Sequence, residues 1–251
     1  MSSVKFEYLT RLGDTVLILS QRLSEWCGKG PALEEDMALT NVALDLLGQA
    51  RLWLSYAAEV EGAGKDEDAL AFLRDASQFR NLLLVEQANG SYADTLTRQF
   101  LFDAWHALAL RRLQTSSDPR IAEIAAKALK EVSYHLRRSS DLVVRLGDGT
   151  ERSRAFMQSA LDTLWPYVCE MFTGDTVDAA MVEAGIGFDP AALHAEWVAY
   201  IREVCEEATL RMPPADAWGH KGGKQGRHTE HLSRLLAEMQ VLQRAHPGAS
   251  W

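Results

Sequence analysis

Disulfide chemistry is the first thing this sequence has little means for. Only three cysteines occur in 251 residues, Cys27, Cys169 and Cys205, odd in number and widely spaced. They form no CxxC pair, which excludes a disulfide framework and a zinc knuckle and predicts buried free thiols in a reducing compartment. Positive charge is also short. The net charge of -9 repels nucleic acid and anionic lipid, so neither is expected as a partner. No apolar run reaches the roughly 18 residues of a membrane span. The start, Met1-Ser2-Ser3-Val4-Lys5-Phe6-Glu7, has neither the basic region nor the apolar stretch of a signal peptide, and the expected location is the cytoplasm. Alternating apolar and polar positions, the mark of strands, are not sustained anywhere.

What is present is apolar residues three and four apart. Hydrophobic residues make up 47% and charged residues 24%, enough for one domain with a full core. A first helix is predicted from Phe6 to Trp26, stopped by Gly28-Lys29-Gly30-Pro31, and a second from Ala32 to Val60, closed by Gly62-Ala63-Gly64. Residues 66–89 read as a crossover with two short helices. Ser91 then caps a helix running to Leu113, and Asp118-Pro119 opens a fourth long helix that ends near Gly147. Two long helices, a crossover and two more make the ferritin-like four-helix bundle. Further helices are predicted at 153–172, 177–184, 190–209 and 229–245. The expectation is a single all-α domain over 1–251, with a core bundle at 5–147 and C-terminal helices at 153–246.

A ferritin-like di-iron site takes one carboxylate from each of two helices and Glu-x-x-His from each of the other two. The spacing matters because residues three apart share a helix face and can grip one cation. In the second helix, Asp45-Leu46-Leu47-Gly48-Gln49 puts Leu46 and Gln49 where a carboxylate and a histidine belong. Leucine cannot ligate, and glutamine is a poor neutral ligand for iron. Asp103-Ala104-Trp105-His106 in the third helix has suitable spacing. Two readings stand: half a site, or an Asp103 bonded to a neighbouring basic group with His106 packed at an interface. In the fourth helix Glu131 lies four before His135, and Val132 occupies the position three before it. The first helix offers only Asp14 and Gln21 as inward polar candidates. Asp103 and His135, joined at most by Glu131 and Asp14, fall short of a complete ligand set, so no metal is expected in this chain.

Longer strings carry more. Asn41-Val42-Ala43-Leu44-Asp45-Leu46-Leu47-Gly48-Gln49-Ala50-Arg51, Gln78-Phe79-Arg80-Asn81-Leu82-Leu83-Leu84-Val85-Glu86-Gln87, Phe102-Asp103-Ala104-Trp105-His106 and Lys130-Glu131 with Tyr134-His135-Leu136-Arg137 closely resemble the C-subunit family of bacterial phenylacetyl-CoA 1,2-epoxidases. So do Gly222-Gly223-Lys224, His228-Thr229-Glu230-His231-Leu232, Leu236-Ala237-Glu238-Met239-Gln240 and Pro247-Gly248 with Trp251. The resemblance covers nearly the whole chain. It implies a non-catalytic structural subunit of an oxygenase that epoxidises the ring of phenylacetyl-CoA in aerobic phenylacetate breakdown. It also implies a related catalytic A subunit holding the di-iron centre and the CoA thioester, a small B subunit, and a reductase delivering electrons from NADPH. The A subunit's second helix bears a string like Asp-Glu-Ala-Gly-His, so its ligand positions fall on Leu46 and Gln49. Asp103 and His135 then resemble relics of ligand positions, satisfied by each other or by a nearby Arg or Lys. An independent ferritin-like di-iron oxidase or iron-binding protein with an unusual ligand set is the other reading, and a homodimer is expected if the chain stands alone.

One basic, glycine-rich stretch interrupts the acidic chain, from Gly219 to Thr229. Lys221, Lys224, Arg227 and His228 are candidates for a partner contact or for the phosphates of a CoA ligand, against the alternative of a flexible surface loop. Thr229 is expected to cap the helix that follows. Trp53, Trp105 and Trp165 read as core, and Trp218 and Trp251 as partner anchors. The stretch Gln78–Gln87, poor in charge, reads as buried crossover.

Overall fold

The computed structural model describes residues 2–249. Trp251, expected as a partner anchor, lies outside them. All regular structure among the described residues is helical, and the chain groups into two compact units. One unit comprises the residues up to Ala88 together with those from Gly222 onward; the other is Asn89–Lys221.

The discontinuous unit is built on α1 (Ser2–Ser24) and α2 (Leu33–Glu61), followed by the short helices α3 (Glu67–Phe72) and α4 (Leu83–Glu86). The long pair is antiparallel: Ser20 Oγ donates to Ala43 O at 2.7 Å near one end, and Ser2 Oγ to Val60 O at 2.8 Å near the other. Gly13 lets the two backbones close up, since a Cβ there would sit 2.6 Å from Leu54 Cδ2. Leu9, Val16, Leu19 and Leu23 bury against Leu39, Val42, Leu46 and Leu54 of the partner helix, each burial worth about 1.5–3 kcal/mol. α2 ends at Gly62, whose φ of +69° is the left-handed stop that glycine accepts without strain. The predicted helix at 229–245 is two, α10 (Glu230–Met239) and α11 (Val241–Ala245), broken at Gln240. Gln240 Nε2 donates to the carbonyls of Ala71 and Arg74, both at 3.0 Å, and that anchorage sets the break.

The continuous unit is built on α5 (Tyr92–Leu113) and α6 (Pro119–Gly147), with α7 (Glu151–Leu164), α8 (Thr176–Glu183) and α9 (His194–Glu207). Ser91 and Asp94 form a capping box at the start of α5, and Asp118 Oδ1 accepts from the amides of Arg120 and Ile121 ahead of α6. α5 is buried on nearly every face and is the centre of the unit; α6 is buried along one stripe and polar on the other side. The predicted helix at 153–172 starts earlier, capped by Thr150, and yields to 3-10 turns at Trp165–Tyr167 and Cys169–Phe172, because Pro166 cannot continue an α-helical ladder. The helix order, a long pair, a crossover with short helices and a second long pair, is that of ferritin-like proteins.

Trp53, Trp105 and Trp165 are buried, and Trp218 is 78% exposed. The expectation of three buried thiols holds for Cys205, whose thiol burial pushes up to about 12. It fails for Cys27, which the Gly28-containing turn after α1 leaves exposed, and Cys169 is half-buried.

Candidate functional site

The candidate ligand positions fall into two sets. Leu46 and Gln49 are both buried on α2, and Asp45 beside them is half-buried. Leu46 contributes only methyl groups, and Gln49 a neutral amide. Asp14, on α1, is completely buried. It is spoken for: it is ion-paired through both carboxylate oxygens with the Arg74 guanidinium, and its Oδ2 accepts from the Arg80 backbone amide at 2.8 Å. Its charge therefore fixes the crossover rather than a cation.

Asp103, His106 and His135 come together in the continuous unit, all buried. Their helices explain the meeting: three residues put Asp103 and His106 on one face of α5, and the amphipathic register of α6 turns Val132, His135 and Ser139 inward. The Asp103 carboxylate accepts from Gln99 Nε2 at 2.6 Å and from Ser139 Oγ at 2.9 Å. The expected hydrogen-bonding partner, a basic side chain, is replaced by a neutral amide and a hydroxyl. His135 and Arg138 act on Asp103 through space, each lowering its carboxyl pKa. Burial pushes the Asp103 carboxyl up to about 6, and His135, Ser139, Gln99 and Arg138 oppose that rise.

His106 is buried in the continuous unit. Its ring lies 4.9 Å from Phe102 and stacks on Trp105, and its Nδ1 is buried without a hydrogen-bond partner. Burial, reinforced by His135, lowers it to about 3, so it is neutral across the physiological range. Glu131 is half-buried and Val132 fully so. Two histidines and one carboxylate already bonded by two neutral donors make a poor cation site. Among the described residues no group of three or more His, Cys, Asp or Glu side chains is placed to hold a metal ion. The side chains on α2, α5 and α6 do not fit a di-iron centre.

The basic stretch is ordered by a residue that sequence reasoning passed over. Glu86, the one acid in the crossover stretch Gln78–Gln87, is completely buried. Its carboxylate meets His228 Nδ1 at 2.8 Å and accepts from Asn81 Nδ2 at 2.8 Å, from the Thr229 amide at 2.6 Å and from the Thr229 hydroxyl at 2.8 Å. Thr229 thus does not cap α10 with its side chain: its hydroxyl is taken. The Arg22 guanidinium donates to the Glu86 backbone carbonyl and to that of His231. His228 is accordingly a core residue, and Lys224 is buried in the 3-10 turn Gly223–Gln225. Of the four basic candidates only Lys221 and Arg227 face solvent. An acid isolated in an apolar run was the available signal for Glu86, since such a group folds only with several donors around it.

Comparison with known proteins settles the lineage. The model of the family described as phenylacetic acid catabolic protein matches residues 2–251. The chain belongs to that family. It is also 55% identical over 244 residues to the C subunit of 1,2-phenylacetyl-CoA epoxidase from Escherichia coli (strain K12), covering 97% of this chain and 98% of the relative. No helix among its described residues is long and apolar enough to cross a membrane.

Proposed function

We propose that this chain is a non-catalytic structural subunit of a multicomponent oxygenase that epoxidises the aromatic ring of phenylacetyl-CoA during phenylacetate breakdown in the cytoplasm. It pairs with a homologous catalytic subunit, which holds the di-iron centre and the CoA thioester. A small further subunit and a reductase supplying NADPH-derived electrons complete the assembly, and this chain carries no cofactor. The observation behind the reading is the chemistry at the candidate ligand positions. Leu46, Gln49 and Val132 offer no charged donor, and the buried acids Asp14, Asp103 and Glu86 are each engaged by protein donors. Full-length similarity to a protein named as the C subunit of the epoxidase supports the reading of substrate and assembly.

Metal analysis of the purified chain, beside epoxidation assays of the catalytic subunit with and without it, tests the proposal. Expected are no stoichiometric iron and a loss of activity or solubility of the catalytic subunit when this chain is omitted. About two irons per chain, or full epoxidase activity without it, would overturn the reading. Double charge reversal at Lys221 and Arg227, the two solvent-facing basic residues, tests whether they touch the partner or the CoA phosphates. Lys224 is unsuitable for that purpose because its side chain is buried.

A further inference from the structure

The solvent side of α6 presents unpaired positive charge on an acidic chain. In a sequence of 35 acidic and 26 basic residues, this helix turns Lys127, Lys130 and Arg137 outward, with Tyr134 among them at 49% exposed. Steps of three, four and three place the four side chains on one stripe, about 15 Å long at 1.5 Å per residue. Glu123 and Glu131 each lie four residues from Lys127, the spacing at which helical ion pairs form. Further along the same helix that pairing is made, where Arg145 holds Asp141 at 3.0 Å. On the stripe it is not: Lys127, Lys130 and Arg137 make no ion pair or hydrogen bond among the described residues. The Arg137 guanidinium lies instead over the Tyr134 ring, 5.8 Å from its centre.

Shape and composition narrow what can cover the stripe. One exposed helix face is convex, so it cannot enclose a small anion as a cleft does. Its charge is bounded by Glu123 before it and Asp141 after it, both exposed, and the net charge of -9 repels a long polyanion. A permanent neighbour is held by apolar area, and Tyr134 is the large apolar side chain that α6 exposes. What fits is a protein face with carboxylates placed to meet three cations and room for one tyrosine. Contacts of that kind speed association and exchange quickly, because exposed ion pairs are weak and screened by salt. Tyrosine and arginine are also both enriched at binding hot spots.

We infer that the stripe formed by Lys127, Lys130, Tyr134 and Arg137 receives the acidic face of a protein partner that comes and goes. The inference rests on the role proposed above, where the electron-donating reductase is the component that works by delivery, and it names that reductase as the partner. The test is the reconstituted oxygenase with NADPH and phenylacetyl-CoA, titrated with reductase. It compares wild type with Lys127→Gln/Lys130→Gln/Arg137→Gln and with the same three positions changed to Glu. At low salt the reductase concentration for half-maximal turnover is expected to rise about tenfold in the neutral variant, and further in the acidic one. Turnover at saturating reductase should be unchanged, as should each variant's helical content and its co-elution with the catalytic subunit. Added salt should bring the wild type toward the neutral variant. Carbodiimide coupling, which joins an amine only to a carboxylate in contact, should link Lys127 or Lys130 to an Asp or Glu of the reductase. Equal half-saturation in all three proteins, a shift that salt leaves untouched, or a variant that no longer holds the catalytic subunit overturns the inference. Full turnover with this chain omitted would overturn the proposed role itself, a result that needs no variant and so stays distinct.

Discussion

His228 Nδ1 lies 2.8 Å from the Glu86 carboxylate, across 142 residues of chain. The other ring nitrogen sits 3.0 Å from the Phe79 carbonyl, which only accepts, so Nε2 carries a proton there while Nδ1 faces the carboxylate. This buried pair fastens the crossover to the segment that leads into α10.

Cutting either side of that pair should be expensive. Glu86→Ala strands the donors of Asn81, His228 and Thr229 without water, and His228→Phe leaves a buried acid short of one of its partners. Each is expected to cost about 3–5 kcal/mol, measured as a lower urea midpoint with unchanged slope. A cost under about 1 kcal/mol would show the network to be incidental.

Asp14→Ala should behave likewise. It leaves the Arg74 guanidinium and the Arg80 amide facing a void at a fully buried position. A loss of about 3 kcal/mol is expected in denaturant titration, with α3 and the following turn the first to lose hydrogen-exchange protection.

Asp103 and His106 make opposite demands on pH. Asp103 titrates near 6 when folded and near 3.8 when unfolded, so between those values the native state binds the extra proton and acid favours folding. His106 titrates near 3 when folded and near 6.5 when unfolded, so over the same range acid favours unfolding. In the wild type the two nearly cancel between pH 4 and 6. Asp103→Asn should uncover the histidine, with stability falling relative to wild type by about 1 kcal/mol per pH unit of acidification. His106→Leu should give the reverse slope. Parallel curves for all three proteins would refute the assignment.

Two glycines should respond in opposite directions to alanine. Gly226 has φ +74°, and a Cβ there would lie 2.2 Å from the Ser77 carbonyl, so Gly226→Ala is expected to cost about 2 kcal/mol or more. Gly48 sits mid-helix with open space around it, and Gly48→Ala should stabilise the isolated fold by roughly 1 kcal/mol. Thermal or urea unfolding of the two variants distinguishes them.

The helices were legible because their evidence is local: periodicity, the Ser91 and Asp118 caps, and the glycine and proline stops. The lack of charged donors at Leu46, Gln49 and Val132 was equally plain, being a matter of residue type and register. What escaped was non-local. Thr229 has the form of a cap, yet a carboxylate 143 residues earlier takes its hydroxyl. His228 and Lys224 read as surface charge because neither Glu86 nor the turn that buries Lys224 announces itself in neighbouring sequence. Gln240 interrupts a well-patterned helix to reach carbonyls from the other end of the chain. Asp103 was found, but its donors Gln99 and Ser139 were not, since amides and hydroxyls carry no signature of their own.

The tie between Glu86 and His228 also sets an order of events during synthesis. The unit that Glu86 belongs to is interrupted by the whole of Asn89–Lys221 and closes only with residues from Gly222 onward. A nascent chain therefore holds the crossover acid without His228 and Thr229 until the ribosome has made nearly everything else, while the intervening unit has all its residues earlier. A stop codon introduced near residue 222 should leave the inserted unit protected from protease and the Ser2–Glu61 hairpin exposed to it.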